Sequence, residues 1–342
     1  MEDRKPEETP ESTTERAAVA SEPNNPRRHS MAVRTITSLA FALVTVPCAF
    51  LGGWFIFALS LILVGFGTYE ILTMPGRDRF DIATKILTFI AVFALTYFQF
   101  FIDPDQLAAM GQGNLFGLTG FQPSVLGLAI YLILLFTIQL FSRRFDLWNT
   151  LYLFLMVFLL STGFYAILFL RLGPICLVEY VPIANGFTYN LTSCLLLWWV
   201  LFGVWTCDIG AYFVGVFFGK HPMNAKISPH KTWEGFAGGV AASLIFSIVY
   251  VCIVSYACHA AILPGIIDVY NHPSDWGWVI LLAVLFPLLD NVASFLFSAL
   301  KRHFQAKDWG RILPGHGGII DRFDAVILTS IVAAATVALI AG

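Results

Sequence analysis

Long apolar stretches are the feature that most restricts the fold of this chain. They cover residues 36–51, 53–73, 86–102, 123–141, 149–171, 189–218, 236–257, 277–300 and 325–341, and few charges interrupt them. A helix needs about 20 mostly apolar residues to cross a bilayer, where every backbone polar group must be satisfied within the protein. The sequence therefore predicts an all-α polytopic membrane protein with about nine transmembrane helices.

The composition supports this class and argues against others. Of the 342 residues, 58% are hydrophobic and 12% are charged, whereas soluble domains are about 25% charged. A net charge of −2 does not favour binding to nucleic acid. The six cysteines form no CxxC pair, so we expect buried, inert thiols rather than a metal or redox centre.

The basic residues predict the orientation of the helices. If the amino terminus is cytoplasmic, nineteen of the 20 Lys and Arg residues fall on the cytoplasmic side, as the positive-inside rule requires. These are Arg4, Lys5, Arg16, Arg27, Arg28, Arg34, Arg77, Arg79, Lys85, Arg143, Arg144, Lys220, Lys226, Lys231, Lys301, Arg302, Lys307, Arg311 and Arg322. The exception, Arg171, is expected to extend towards the lipid headgroups. The carboxyl terminus then lies on the opposite side of the membrane.

Three regions follow from these patterns. Residues 1–32 are rich in Glu, Pro, Ser, Thr and Arg and predict a disordered cytoplasmic tail. Residues 33–185 contain the first five helices. Residues 186–342 contain helices six to nine and both polar clusters of the chain. Three glycines in the sixth stretch, at 203, 210 and 215, and one directly after it, at 219, indicate close helix packing, a bend or an extension beyond the membrane.

The first polar cluster runs from Cys207 to Gly239. Asp208 lies inside an apolar stretch, which marks it as a functional candidate; the alternative is a carboxylate at a helix end in headgroup water. The sequence SPHKTWEG adds Ser228, Lys231, Thr232 and Glu234 at the start of the seventh helix. Ser228 or Thr232 can cap that helix, whose free N–H groups would accept a phosphate. The alternative is a positively charged loop that anchors the helix.

The second polar cluster runs from Ser298 to Asp324 and includes KDWGRILPGHGGIIDRFD. Five basic residues can neutralise a polyphosphate: Lys301, Arg302, Lys307, Arg311 and Arg322. Three carboxylates are hard oxygen ligands of the kind that Mg²⁺ prefers: Asp308, Asp321 and Asp324. Asp321 and Asp324 would share one face of a helix that starts there.

Glycines surround His316 within this cluster. Gly315, Gly317 and Gly318 would let the backbone approach a ligand closely. His316 either orients a carboxylate or contacts a phosphate directly. Together these residues indicate phosphoryl or nucleotidyl transfer at a membrane surface. The sequence contains no GxxxxGK[ST] string, which argues against a P-loop ATPase.

The second cluster closely resembles the signature of the CDP-diacylglycerol synthases, the phosphatidate cytidylyltransferases. The matching positions are Ser298, Lys301-Arg302, Lys307-Asp308, Gly310, Pro314, His316-Gly317-Gly318 and Asp321-Arg322-Phe323-Asp324. The first cluster is also similar to the family, through Asp208, Ala211-Tyr212, Phe218-Gly219-Lys220 and Ser228 to Gly235. Bacterial members carry a G-D-L triplet where this chain has Ala293-Ser294-Phe295. Asp290 lies one helical turn earlier on the same face. The sequence leaves open whether Asp290 takes over the role of that Asp.

The resemblance implies an enzyme that converts CTP and phosphatidic acid to CDP-diacylglycerol and pyrophosphate, with Mg²⁺ and with or without a second cation. It implies catalytic roles for Asp208, Lys301, Lys307, Asp308, Asp321, Arg322 and Asp324, with Asp308, Asp321 and Asp324 as metal ligands. Substrate-binding roles fall to Ser228, Lys231, Thr232, Glu234, Ser298, Arg302, His316, Gly317 and Gly318. The implied partners are CTP, phosphatidic acid and the lipid bilayer, without nucleic acid, and a homodimer is the assembly that the family suggests.

Two alternatives stay open at the level of the sequence. A related CTP-dependent enzyme would act on another lipid phosphate or alcohol at the same site. An ion-coupled transporter would place its ionisable residues near the midplane of several helices, whereas here they gather at one face. The expected location is the bacterial inner membrane or the endoplasmic reticulum, with the active site facing the cytoplasm.

Overall fold

A computed structural model of the chain describes residues 26–98, 123–142, 145–178, 191–263 and 267–341. Its helices are α1 (Pro26–Leu51), α2 (Gly53–Thr73), α3 (Ile82–Tyr97), α4 (Pro123–Phe141), α5 (Leu147–Val178), α6 (Leu191–Phe218), α7 (Trp233–Cys252), α8 (Trp276–His303) and α9 (Ile320–Ala341). A π-helical turn (Ile253–Ala257) extends α7, and a short 3₁₀ turn (Pro273–Asp275) precedes α8. Seven of these helices are long and apolar enough to cross a membrane, and α3 and α4 are shorter apolar helices.

The helices coincide closely with the predicted apolar stretches, so the prediction of an all-α polytopic membrane protein is confirmed. Most of the predicted tail, residues 1–25, lies outside the described residues, as do residues 179–190, where the boundary between the second and third regions was expected. Helix α1 begins at Pro26, so the last residues of the segment predicted as a tail belong to this helix.

A two-stranded antiparallel hairpin departs from the all-α expectation. Strands β1 (Pro222–Asn224) and β2 (Ser228–Thr232) lie between α6 and α7. The Asn224 side-chain oxygen accepts hydrogen bonds from the backbone N–H groups of Lys226 and Ile227, which stabilises the turn. Sequence patterning missed this hairpin because its strands are too short for an alternating pattern to show. The hairpin brings β2 to the start of α7.

The break between α1 and α2 is built around two glycines and an arginine. Gly52 and Gly53 have φ values of 64° and 48°, a region that glycine occupies without strain. Arg171 of α5 donates hydrogen bonds to the carbonyl oxygens of Ala49 and Phe50 at the end of α1. Its side chain is only 3% exposed, so the expectation that it extends to the headgroups was wrong. A buried guanidinium needs acceptors, and the free carbonyls of a helix end provide them.

Helix α5 lies at the centre of the bundle and contacts α2, α3, α4, α6 and α9. Among the described residues, helices α6 and α7 have the most extensive contact of any helix pair. A Cβ on Gly210 would lie 2.8 Å from the carbonyl oxygen of Gly238, and one on Gly239 would lie 2.9 Å from that of Cys207. The glycines of the sixth stretch therefore mediate close packing, as small residues do between membrane helices. This contact fixes the part of α6 that carries Asp208 against α7.

We predict that Gly210→Ala destabilises the protein. The new methyl group would meet the backbone of α7, and such overpacking costs about 1–3 kcal/mol. The measurement is the thermal unfolding temperature in detergent, which should fall by several degrees.

Gly277→Ala in α8 is the matched control, because nothing lies within 4 Å of a Cβ at that position. Alanine favours a helix over glycine by up to about 1 kcal/mol, so the control should unfold at the same or a higher temperature. Equal unfolding temperatures for the two variants would show that the α6–α7 contact is looser than described.

Candidate active site

The loop between α8 and α9 is folded around the carboxylate of Asp321. One oxygen accepts hydrogen bonds from the backbone N–H groups of Trp309 (2.7 Å) and Gly318 (2.9 Å). The other oxygen forms an ion pair with Lys301 at 2.9 Å, and both side chains are largely buried. Each oxygen of Asp321 is thus engaged by the protein itself. This arrangement fits a residue that positions the loop better than it fits a free metal ligand.

A second carboxylate, that of Glu70, holds the same loop from α2. Its two oxygens accept hydrogen bonds from the backbone N–H groups of Ile319 (2.8 Å) and Ile320 (3.0 Å). Ile319 directly precedes α9 and Ile320 is its first residue, and N–H groups at this end of a helix have no partner within the helix. The Glu70 side chain is 1% exposed. A carboxylate at this end of a helix also interacts favourably with the helix dipole.

The glycines of this loop lie close to other side chains of the protein. A Cβ on Gly318 would overlap the Glu70 carboxylate, and one on Gly310 would do the same. Gly317, at φ 84°, lies next to Asp321, and Gly315, at φ 76°, lies next to Arg34. The sequence Leu-Pro-Gly-His at 313–316 forms a turn closed by the bond from His316 N to Leu313 O, with proline second and glycine third, as in type II turns. The glycines expected to face a ligand thus let the loop pack against Glu70, Asp321 and Arg34.

Three other carboxylates, on α6, α8 and α9, lie within electrostatic range of one another. We call Asp208, Asp290 and Asp324 the acidic cluster. Asp290 is within electrostatic range of both other members. It is 3% exposed, and its Oδ1 has no hydrogen-bond partner among the described residues. Asp208 is exposed and Asp324 is half-buried, so the cluster is accessible from outside the chain. The structure therefore places Asp290, which takes the position one turn before the missing family Asp, beside two predicted site residues.

Lysines partly balance the acidic cluster. Lys231 interacts electrostatically with Asp208 and Asp290, and its ammonium also contacts the Asn291 side-chain oxygen at 3.3 Å. On the other side, Lys301 interacts with Asp324 as well as with Asp321. Two cations and three acidic cluster carboxylates leave a site that favours a further positive charge.

The hairpin brings Lys231 to this position. Thr232, the last residue of β2, caps α7 by accepting a hydrogen bond from Gly235 N at 3.1 Å, which confirms the prediction of a helix cap. Glu234 accepts hydrogen bonds from the backbone N–H groups of Lys220 and His221, so it joins the helix to the hairpin. Ser228 is half-buried at the start of β2.

A second feature of the site is a cavity of about 410 Å³ beside the loop, which we call the basic cavity. Its charged lining consists of Arg34, Lys307, Asp308, Arg311 and Arg322. The guanidinium of Arg322 donates to the carbonyl oxygen of His316. The His316 ring contacts the Ser38 hydroxyl of α1 at 2.7 Å, so it bonds to the first helix rather than to a carboxylate.

The predicted site residues are thus divided between two regions. Asp208, Lys231, Lys301 and Asp324 lie at the acidic cluster, whereas Lys307, Asp308, His316 and Arg322 line the basic cavity. Asp321 lies between them. Ser298 is half-buried in α8, and Arg302 is bonded to the Ala306 carbonyl oxygen at the end of that helix. Within the described ranges, no three His, Cys, Asp or Glu side chains are close enough to form a closed metal site.

Sequence reasoning missed Glu70 and did not assign Arg34 to the site. Glu70 is the only charged residue in the second apolar stretch, and an ionisable residue in such a stretch is a functional candidate. That signal was present in the sequence. Arg34 was counted only among the charges that orient the chain, and nothing in its local sequence indicates a partner near residue 315.

Comparison with known proteins identifies relatives of the chain. The sequence profile of the Cytidylyltransferase family matches residues 32–340. The chain is similar to the phosphatidate cytidylyltransferase of Staphylococcus haemolyticus, with 28% identity over 86% of this chain and 94% of that protein. It is also similar to the phosphatidate cytidylyltransferase of Bacillus subtilis, with 32% identity over 49% of this chain and 55% of that protein. A third protein of that name, from Staphylococcus aureus strain COL, shares 28% identity over 86% of this chain.

We predict that Glu70→Gln destabilises the start of α9. An amide has one acceptor oxygen, so one of the two buried N–H groups would lose its partner, at a cost of about 1–3 kcal/mol. Thermal unfolding in detergent should begin at a lower temperature, and limited proteolysis should cut the loop at residues 304–319 more readily.

Asp78→Asn is the control for this prediction, because it makes the same change of carboxylate to amide at an exposed position. If Glu70→Gln matched that control in both unfolding and proteolysis, the Glu70 carboxylate would not be what holds the loop.

Proposed function

The chain belongs to the Cytidylyltransferase family, and from this premise we propose that it is an integral membrane phosphatidate cytidylyltransferase. It would make CDP-diacylglycerol and pyrophosphate from CTP and phosphatidic acid for phospholipid biosynthesis. The observation that carries the proposal is that an acidic cluster and a basic cavity meet across Asp321 and Lys301. Relatives with that activity in their names align over most of the chain.

The reaction needs little acid–base chemistry from the protein. An oxygen of the phosphatidate phosphate attacks the α-phosphorus of CTP, and the bond from that phosphorus to the pyrophosphate oxygen breaks. A phosphate monoester has its second pKa near 6, so the attacking oxygen is already anionic at neutral pH. The main obstacle is repulsion between two anionic substrates. Catalysis then depends on cations that hold them in line and offset the developing charge.

The basic residues of the site meet this requirement. Lys307, Arg311 and Arg322 line the basic cavity, where arginine binds phosphate through paired hydrogen bonds and lysine acts as a point charge. Lys301 and Lys231 lie towards the acidic cluster. The ion pair of Lys301 with Asp321 and the hydrogen bonds of Glu70 keep the loop that carries Lys307 and Arg311 in place.

The acidic cluster is the place that best fits Mg²⁺. Its donors are hard oxygens, Asp290 has a buried oxygen without a partner among the residues that the structure describes, and Asp208 and Asp324 are accessible. Mg²⁺ usually takes one or two protein carboxylates and completes its shell with substrate phosphates and water, so three converging protein ligands are not required. Asp324, Asp208 and Asp290 would hold the ion, which would supply positive charge against the negative charge that develops on the departing pyrophosphate. We assign the main ligand role to Asp324, with Asp208 and Asp290 beside it.

The membrane arrangement is also part of the proposal. We infer that α3 and α4 cross the membrane together with the seven longer helices, with the amino terminus in the cytoplasm. Both regions of the site then face cytoplasmic CTP while adjoining the lipid that supplies phosphatidate. The similar proteins come from bacteria, which supports the inner membrane as the location. A homodimer stays a prediction.

We predict that the purified protein forms labelled CDP-diacylglycerol from labelled CTP and phosphatidate only when Mg²⁺ is present. Asp324→Asn should lower turnover by about 100-fold or more, the range seen when one electrostatic contact to a transition state is removed. Asp81→Asn, an exposed carboxylate without a side-chain cap bond, is the control.

A panel of lipid phosphates and lipid alcohols tests the substrate. Product from another acceptor but none from phosphatidate would contradict the proposed activity. Near-normal turnover by Asp324→Asn would remove this carboxylate from the catalytic site.

We predict that Cys258 reacts with a membrane-impermeant maleimide on intact cells. This cysteine is exposed and follows α7, which the proposed topology places on the outer side. His230→Cys, made in a Cys258→Ser background, should react only after the membrane is permeabilised.

The Cys258→Ser variant alone measures any labelling of the other cysteines. The reverse pattern, with position 230 labelled on intact cells and Cys258 protected, would invert the proposed topology.

A further inference from the structure

The first helix makes an unusual set of contacts with the loop between α8 and α9. Arg34, Ser38 and Phe41 lie along one face of α1, at the spacing of successive helical turns. Arg34 lies against Gly315, Ser38 bonds to His316, and the Phe41 ring packs edge-on against Phe323 with centroids 6.3 Å apart. All three partners belong to the loop or to the start of α9. The helix therefore brings Arg34 to the basic cavity, which it helps to line.

The rest of α1 is in little contact with the bundle. The apolar window of this helix is only 6% buried, and Ile36, Leu39 and Leu43 are each about two-thirds exposed or more, at 66%, 68% and 73%. In a membrane these side chains would face lipid. The wall of the basic cavity that Arg34 provides is therefore the wall next to the bilayer.

The charge of the basic cavity is unbalanced. Arg34, Lys307, Arg311 and Arg322 line it together with a single carboxylate, that of Asp308. Within the part of the chain that the structure describes, none of these four cations belongs to an ion pair. Like charges around one cavity repel each other, and a bound anion relieves that repulsion. A phosphate group offers several oxygens and a charge close to −2, which suits paired arginines.

We propose that Arg34 completes a phosphate-binding pocket with Lys307, Arg311 and Arg322, and that it contacts substrate from the first helix. This inference rests on the proposed function, because the two phosphate sources it considers are the headgroup of phosphatidate and the triphosphate of CTP. The lipid-facing position of α1 places Arg34 where a headgroup enters from the bilayer. The acidic cluster adjoins this pocket across Asp321 and Lys301, so the second substrate would be held there, next to the first.

The test is the steady-state kinetics of Arg34→Gln, measured with short-chain phosphatidate and CTP varied in turn. We expect the KM for phosphatidate to rise about tenfold or more, since a charge-assisted hydrogen bond contributes enough for such a change, with a small change in kcat. The KM for CTP should stay within about twofold. Arg34→Lys should recover part of the loss, because it restores the charge without the paired geometry.

Arg77→Gln is the matched control. Arg77 is an exposed arginine predicted to lie on the same side of the membrane, and it does not line the basic cavity. Equal effects of Arg77→Gln and Arg34→Gln on KM would mean that general surface charge attracts phosphatidate, and would overturn the pocket. A rise in the KM for CTP instead would keep the pocket and assign it to the triphosphate. Unchanged KM values for both substrates would overturn it.

A binding measurement separates this inference from the proposed function. Dihexanoyl phosphatidate and pyrophosphate are titrated in separate arms, without Mg²⁺, into the full-length protein and its Arg34→Gln variant. If binding depends on Arg34 but the protein makes no CDP-diacylglycerol, the proposed activity is contradicted and the pocket is still supported. If the protein makes CDP-diacylglycerol but the substitution of Arg34 leaves the binding of both ligands unchanged, the proposed activity stands and the pocket is overturned. If Arg34→Gln fails to fold, Arg311→Gln, at another lining residue of the basic cavity, should show the same weakened binding, and unchanged binding would count against the pocket.

Discussion

The arrangement of the site depends on one carboxylate that reaches across most of the chain. Glu70 of α2 accepts hydrogen bonds from the backbone N–H groups of Ile319 and Ile320. It thus joins α2 to the start of α9, across 249 residues between Glu70 and Ile319. The interaction is strong for its type because the side chain is almost completely buried and the donors are N–H groups that the helix cannot satisfy itself. It also explains Gly310 and Gly318, since a side chain at either position would overlap the carboxylate.

Carboxylates of the same chemical type have different roles here, and their neighbours decide which. Asp321 is surrounded by two N–H groups and Lys301, so its charge is matched and its position is fixed. Asp290 lies near two other carboxylates and keeps an oxygen without a partner among the described residues. The first environment suits a structural anchor, and the second suits a site that receives a cation together with a charged substrate. The two environments adjoin through Lys301.

The signature residues are positioned by elements that do not belong to the signature. The close approach of α6 and α7 over Gly210 and Gly238 fixes the part of α6 that carries Asp208 against α7, and the hairpin before α7 carries Lys231 to the acidic cluster. Helix α1 contributes Arg34 to the basic cavity while most of its surface faces outward. Helix α1, which carries none of the signature residues, therefore contributes a side chain to the lining of the basic cavity.

The sequence by itself determined the class of the fold, most helix boundaries and the residues of the signature. These features are local: the length of an apolar run decides whether a helix can cross a bilayer, and a motif is read from its spacing. Thr232 as a helix cap was predictable for the same reason. Only the tertiary structure decided that Asp321 anchors the loop, that Asp290 joins Asp208 and Asp324, and that Glu70 and Arg34 reach the site. Each of those contacts joins residues far apart in the chain, and their distances depend on how the helices pack rather than on any local pattern of residues.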